Sequence, residues 1–488
     1  MTQCKTKLVK EQGQMSLNLG IGKLVEAEFD GERVCSDGGL LLLRKADQRL
    51  DLTELAALCF ADKRRPDLVK HNNLQMLRQR VYAIAAGYED CNDANFLATD
   101  PMHQLALGFR PDQKRRLASQ PTLSRFENSV DEVTLKALQK LLVHIYVKQS
   151  KKKPKVLRLS MDTTCDEVHG FQQLSFYNGF YETACYTPLF IFADDAFPLC
   201  ALLRAGNASP AEGGMRMLRQ VVQELRLSWT DVRIELTADA GFAVPELYEY
   251  CEANGITYYI GTRGHNGLGY HAEPLMLECK KLFEEFGCQS APFKKYGFPV
   301  SSKETKKAWR QRQEHIRFSS KEEGRMQEHF EYELSIRRYC DFMYRSREWS
   351  KFRRHIGRCH YTNSGPDMMY VVTNATGNLP QRIYEEKYCK RARCENWIKE
   401  IKNHLKCDRT SCQEFNANQF RLLLHTFAYI LLWRVQQKAK LTQSNFETLR
   451  LGLIKVGVIV KETARRIRLR LASESPWQEY FRRAWIFL

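Results

Sequence analysis

After Lys155 the apolar periodicity of the chain changes from helical to alternating, and that change calls for a sheet. From Val156 to Asp162, Leu157, Leu159 and Met161 fall on one face while Arg158, Ser160 and Asp162 fall on the other, the period of two that a half-buried strand requires. The same design recurs from Val232 to Asp239, with Val232, Ile234, Leu236 and Ala238 apolar and Arg233, Glu235, Thr237 and Asp239 polar. Each segment ends in an aspartate on its polar face.

Between them lie two further strand candidates, Cys185 to Ala193 and Leu199 to Ala205, joined by the turn-like DDAFP, and a helix candidate from Gly214 to Leu227. A helix from Pro245 to Ala253 and a strand from Ile256 to Gly261 follow. This succession predicts an α/β layer architecture. If the two aspartate strands lie side by side and parallel, both carboxylates emerge at their carboxyl ends, where open α/β sheets place their ligands.

A third acidic residue stands in Tyr388 to Lys402, YCKRARCENWIKEIK, a stretch of helix formers without Gly or Pro. At 3.6 residues per turn Tyr388, Arg391, Glu395 and Lys402 share one stripe, and Ile398, Ile401 and Leu405 line the neighbouring face. Taken singly, such a stripe is usually a surface helix with ordinary ion pairs. An aspartate at a strand end is likewise more often a turn-former or cap. Together, convergent carboxylates repel one another and become favourable when divalent cations neutralise them. Mg²⁺ prefers such oxygen ligands, and a pair of ions can activate an attacking oxygen and stabilise a leaving one at phosphorus. Asp162, Asp239 and Glu395 are therefore the candidate catalytic and metal-binding residues, with Mn²⁺ a possible substitute.

The charge balance agrees. Against 57 Asp and Glu the 488-residue chain carries 75 Lys and Arg, a net charge of +18, which points to a polyanion and first to nucleic acid. The length suggests two to four structural units. No stretch approaches the roughly 20 apolar residues that span a bilayer; the longest apolar run, Leu422 to Trp433, is interrupted by His425 and reads as a buried helix. The amino terminus has no apolar h-region, so the expectation is a cytoplasmic protein without a membrane partner. The 16 cysteines are scattered. The pairs Cys389/Cys394 and Cys407/Cys412 sit at the edge of zinc-ligand spacing, but reduced core thiols are the better reading.

Five stretches organise the chain. Residues 1 to 150 read as mostly helical, after a polar tail to about residue 20, with Ser36-Asp37-Gly38-Gly39 as cap and turn before a helix. Within them SQPTLSRFEN places Arg125 on a helix suited either to a DNA groove or to simple packing. The lysine-rich Gln149 to Lys155 reads as a linker. Residues 155 to 264 hold the aspartate strands, 265 to 366 have their own charge pattern, 367 to 440 hold the glutamate helix, and 441 to 488 form a basic carboxyl-terminal region of ambiguous secondary structure. In YRSREWSKFRRHIGR, Tyr344 to Arg358, basic residues alternate with aromatics. Trp349, Arg353 and Arg354 suit phosphate contact with stacking on a base, or equally a solvated basic face whose aromatics turn into a small core.

These residues carry a resemblance. Tyr388, Arg391, Glu395 and Lys402 fit the Y-x2-R-x3-E-x6-K signature of a large group of bacterial insertion-sequence DDE transposases. MDTTCDEVHGFQ, Met161 to Gln172, resembles the first-aspartate motif of one subgroup, and TADAGF, Thr237 to Phe242, its second, with Ala240 in place of the commoner serine. ENWIKEIKNHLKCDRTS, SDGGLLLLRKAD and LASQPTLSRFEN are similar to the same subgroup, so the resemblance covers most of the chain. It implies an α/β, ribonuclease-H-like catalytic core interrupted by a strand-rich insertion, behind a mostly helical DNA-binding region. It further implies Mg²⁺, double-stranded DNA at element ends and target, a bacterial, nucleoid-associated location when bound, and a homodimer or higher oligomer on DNA. In that setting Tyr388, Arg391, Lys402, His169 and Gln172 are candidates for contact with the DNA end. Asp166, four residues past Asp162, is left out of the metal set. Two alternatives stay open: a ribonuclease-H-like nuclease that cuts without strand transfer, and a transposase-derived DNA-binding protein that is catalytically silent.

Overall fold

The computed structural model describes residues 15–28, 34–113, 115–150, 152–289, 335–362 and 364–488. The basic KETKKAWRQRQ and the first residues of the polar tail lie outside the described residues. Two compact units form, one from 1–49, 64–124 and 434–488, the other from 50–63 and 125–433.

The second unit is built on an eight-stranded mixed sheet. Its strands in chain order are β1 (Val156–Thr163), β2 (Leu189–Ala193), β3 (Pro198–Leu202), β4 (Arg233–Ala238), β5 (Thr257–Thr262), β6 (Ile336–Tyr344), β7 (Arg353–Thr362) and β8 (Gly365–Thr373). They lie side by side as β6-β7-β8-β5-β4-β1-β2-β3. The aspartate strands are neighbours and parallel, with Arg233 opposite Val156 and Ala238 opposite Met161. β5 continues the parallel set, while β2 runs antiparallel to β1. Helices α1 (Gly214–Ser228) and α2 (Pro245–Ala253) make the crossovers around β4, as parallel pairing demands.

The expected strand Cys185 to Ala193 is two strands. Pro188 brings no N–H to a ladder, and the chain changes sheets there. Thr183–Tyr186 pairs with Asp166–Glu167 and Phe176–Asn178 in a small separate sheet, whereas Leu189–Ala193 joins the large one.

The long segment after β5 opens with a helix, α3 (Asn266–Gln289), before its strands. Those strands do not form a sheet of their own. β8 pairs antiparallel with β5, so β6, β7 and β8 extend the central sheet. Leu275 and Cys279 of α3 pack on Ile336 and Cys359.

From Pro380 to His404 the chain is helical throughout but changes pitch: an α turn, a π segment over Ile383–Lys387, a 3-10 turn over Tyr388–Arg391, α4 (Ala392–Lys399), and a second π segment over Glu400–His404. α5 (Phe415–Ala439) contains the apolar run; in this unit its Tyr429 hydroxyl donates to Ala196 O at 3.0 Å and Trp433 Nε1 to Asp195 O at 2.9 Å, fixing it beside the β2–β3 turn. The helix Glu132–Gln149, which sequence had grouped with the amino-terminal region, belongs to this unit, where Gln139 bonds Ala201 of β3.

In the first unit, Gly38 N donates to Val456 O at 2.9 Å and Gly39 N to Ile454 O at 3.0 Å. A Cβ on Gly39 would collide with the backbone of Leu453 and Ile454, so this contact requires glycine. Asp37 stands in the turn before the helix, its carbonyl accepting from Leu40 N at 3.0 Å, and its side chain is a buried acceptor for His103 Nε2 (3.0 Å), Tyr88 Oη (3.0 Å) and Lys455 Nζ (2.8 Å). Burial pushes its carboxyl up, but the bonds from His103 and Lys455 outweigh that and hold it below the usual range. The carboxyl-terminal region resolves into a hairpin, β9 (Val458–Thr463) and β10 (Arg466–Leu471), followed by α6 (Gln478–Phe487).

Candidate active site

Parallel register places the two aspartates. Because Ala238 pairs with Met161, the next residues, Asp239 and Asp162, leave adjacent strands at the same level. Asp162 is 6% exposed; its Oδ1 accepts from Thr163 N at 2.9 Å. Asp239 caps a short 3-10 turn, its Oδ1 accepting from Gly241 N at 2.9 Å. Behind them Ser160 and Thr237 hydroxyls bond across the strands at 2.9 Å.

Glu395 reaches this rim from the helix, and Arg391 makes the join. One guanidinium nitrogen donates to Asp162 Oδ2 at 2.9 Å and another to Glu395 Oε1 at 2.9 Å. The helix is seated by Cys394, fully buried, whose thiol meets Ser160 O at 3.9 Å, and by Trp397 against Phe192, ring centroids 5.5 Å apart.

The electrostatics are those of crowded carboxylates. Burial pushes the Asp162 carboxyl up to about 6 against the pull of Arg391, and Asp239 and Glu395 push in the same direction as burial. Arg391 is desolvated, yet the carboxylates around it raise its affinity for the proton. Three carboxyl groups supply only oxygen donors, the chemistry a hard divalent cation takes, and their repulsion is the strain such a cation relieves. Among the described residues no three His, Cys, Asp or Glu side chains are yet gathered as a metal-binding group. Arg391 lies between Asp162 and Glu395 and bonds both.

The rest of the stripe divides. Tyr388, expected at the DNA end, is 8% exposed and packs in a core cluster with Tyr259, Ile356, Val371 and Tyr384. Its hydroxyl presses on Gly261, where no Cβ would fit, and interacts with Arg391 and Asp239 at the acidic rim. Lys402 donates to Cys165 O, tying the helix to the loop after Asp162. Asp166 is fully buried with neither carboxyl oxygen hydrogen-bonded. Burial, only partly offset by Lys402, pushes it up to about 7. Nearby, Gln172 is bound to Asn418 Nδ2 at 3.2 Å, while His169 is exposed.

Elsewhere the geometry separates what composition had grouped. Arg125 is exposed on its helix. Arg353 is turned inward: 2% exposed, it meets both carboxyl oxygens of Glu252 at 3.0 and 3.2 Å and lies over the rings of Tyr248 and Trp349. Trp349 stacks on His355 with centroids 5.6 Å apart. Arg354 binds Asp341 and the carbonyls of Ala375 and Asn378. Arg353 and Trp349 thus build a small aromatic and ionic core, because a desolvated guanidinium satisfies itself with a carboxylate, while Arg354, next along the strand, makes its ion pair on the opposite face. One neighbour of the acidic rim had no signal in spacing: Tyr181, bonded to Thr163, whose hydroxyl is pushed up by burial and by the charges of Asp162 and Asp239. It returns to the site only through the turn of the small sheet.

A large mixed sheet in an α/β unit, with an acidic set on the carboxyl rim of its parallel strands, is consistent with the ribonuclease-H-like fold of DDE transposases. The family model described as transposase DDE domain group 1 matches residues 17–488, and the chain belongs to that family. A DDE transposase domain is that of a DNA phosphoryl-transfer enzyme of DNA transposition, and such enzymes generally use divalent metal. Among curated proteins no relative matches. Among solved structures, the chain is similar to a piggyBac transposase synaptic complex with hairpin DNA seen by cryo-EM. The identity is 10%, covering 86% of this chain and 80% of that one, with a TM-score of 0.39. No helix among the described residues is long and apolar enough to cross a membrane. Fourteen cysteines, Cys389, Cys394, Cys407 and Cys412 among them, are free thiols.

Proposed function

We propose that this protein is the transposase of a bacterial DNA insertion sequence. It binds the terminal inverted repeats, cuts at the element ends and joins the freed 3′ hydroxyls to target DNA, in a cut-and-paste reaction on a homodimer or higher assembly. The observation that carries this reading is the emergence of Asp162 and Asp239 at one level from adjacent parallel strands, with Arg391 linking Asp162 to Glu395.

Asp162, Asp239 and Glu395 would hold Mg²⁺, or Mn²⁺ in its place. When bound, the metal supplies activation of the attacking oxygen and neutralisation of charge at phosphorus. The chain's own residues do the positioning. The β1–β4 register sets the spacing of the aspartates, and the bond from Thr163 N holds Asp162 in one orientation. Arg391, released from one carboxylate, is placed to bind a phosphate oxygen. Lys402 holds the loop after Asp162. His169, exposed beside this loop, remains available to the DNA end, and Arg125 to the duplex.

The test uses DNA carrying the sequences that flank the gene, incubated with purified protein and Mg²⁺, with every nick and joint mapped to the nucleotide. Cuts at repeat borders with joined products, absent without metal and with Glu395→Gln, are the expected result. Cutting without joining, under conditions that keep both ends assembled, would replace this reading with a nuclease. Tight binding with no metal-dependent cleavage would leave a silent DNA-binding protein.

A further inference from the structure

The carboxyl-terminal hairpin separates its charges by face. In β10, Arg466, Arg468 and Arg470 alternate with Ile467, Leu469 and Leu471, and all three arginines are exposed. Directly opposite them in β9 stand Thr463, Lys461 and Ile459. Residues opposite one another in an antiparallel pair share a face, so this face carries four cations and no acid. Glu462 pairs with Ile467 on the other face, where it accepts from Asp112 N at 3.0 Å and lies 4.0 Å from Arg110. Arg465 adds a further exposed cation at the turn. Among the described residues none of Arg465, Arg466, Arg468 and Arg470 makes an ion pair.

That arrangement is unfavourable on its own. Arg466, Arg468 and Arg470 follow one another along one face with no acid opposite them, and like charges so close repel one another. Among the described residues β10 is an edge strand, paired with β9 alone. Charge on an edge guards against unwanted strand pairing, but a guard can have either sign, and every charge on this face is positive. A polyanion relieves the repulsion. Arginines two residues apart on a strand repeat about every 6.7 Å, so the three span about 13 Å, the axial rise of about four phosphates of one DNA strand. Ile459, with Val34 opposite it on the third strand, is apolar, and the rest of the hairpin's face is Thr463 and four cations, which suits backbone contact better than base recognition.

We infer that the β9–β10 hairpin is a duplex-DNA backbone grip, with Arg466, Arg468 and Arg470 each on a phosphate. The inference rests on the transposase reading only for its choice of polyanion. The grip contributes affinity without sequence preference, and it is separate from the acidic site.

The test is the salt dependence of binding of the full chain to random-sequence duplex DNA without divalent metal, followed by fluorescence anisotropy. Three released phosphate contacts should lower the slope of log K against log salt by about 2.7 in the Arg466→Gln/Arg468→Gln/Arg470→Gln protein. Replacing the same three residues by Lys should restore most of it, since the effect counts charges. The control removes three exposed cations already paired with acids, Lys136, Lys281 and Arg382, and should leave the slope near that of the unaltered protein. An unchanged slope in the Gln protein, or an equal fall in the control, overturns the grip. So does a change confined to self-association. Metal-dependent cleavage does not enter this readout, so loss of the transposase reading and loss of the grip are seen in different experiments.

Discussion

Arg391 donates to Asp162 Oδ2 at 2.9 Å across 229 positions of sequence. The same guanidinium holds Glu395 four residues along its own helix. One cation thus spans two carboxylates. If these two carboxylates hold the metal as proposed, metal entry and the Arg391 bridge would compete for Asp162 and Glu395.

Replacing Arg391 by Gln should therefore have two opposite effects. Without metal the fold should lose about 3 kcal/mol, the cost of leaving a buried carboxylate without its partner, read by denaturant unfolding. Calorimetric affinity for Mn²⁺ near pH 7 should rise severalfold. A weaker Mn²⁺ affinity would mean that Arg391 supports the metal instead of competing with it.

Glu395→Gln should separate chemistry from folding. The side chain is 46% exposed, so stability should shift by less than about 0.5 kcal/mol, while cleavage of element-end DNA falls at least about a hundredfold. A thermal transition lowered by several degrees would place Glu395 in the structure and not in the reaction.

Stability should decline as pH rises from about 4 to about 7. Asp166 and Asp162 both have folded values raised above the unfolded one, to about 7 and about 6. In that window the folded state holds protons that the unfolded state has released, so each group contributes a slope of at most about 1.4 kcal/mol per pH unit, stability falling as pH increases. Asp166→Asn should remove the steeper part and be more stable than the unaltered protein at pH 8. An identical pH profile in the Asn variant would show that Asp166 is not the group responsible.

Arg353→Ala should act on folding and not on DNA. Breaking its buried pair with Glu252 should cost about 3 to 5 kcal/mol, measured by urea unfolding. Where the variant is still folded, the salt slope of duplex binding should match the unaltered protein. A lower slope at full stability would return Arg353 to the DNA interface.

Local periodicity made much of the catalytic unit legible. The alternation in β1 and β4, the helices on either side of β4 and the carboxyl-end position of both aspartates can be read without coordinates, because strand and helix periods are set by the backbone. The break at Pro188 was missed in an apolar run whose two halves look alike yet enter different sheets. The chain also does not announce that β6, β7 and β8 join the sheet of β5, because strand pairing is decided by edges that meet only in three dimensions.

The same division runs through the site. Sequence alone proposes Asp162, Asp239 and Glu395 and sets their order, and it places Arg391 beside Glu395, since neighbours four apart on a helix meet whatever the rest of the fold does. Tertiary structure decided which way the remaining residues face. Tyr388 shares the stripe but sits in a core beside Gly261, and Arg353 pairs with Glu252 where composition suggested phosphate. A basic or aromatic side chain is equally suited to a nucleic acid and to a buried carboxylate or ring. Which it takes depends on the partner that folding carries to it, and that partner can lie a hundred or more residues away.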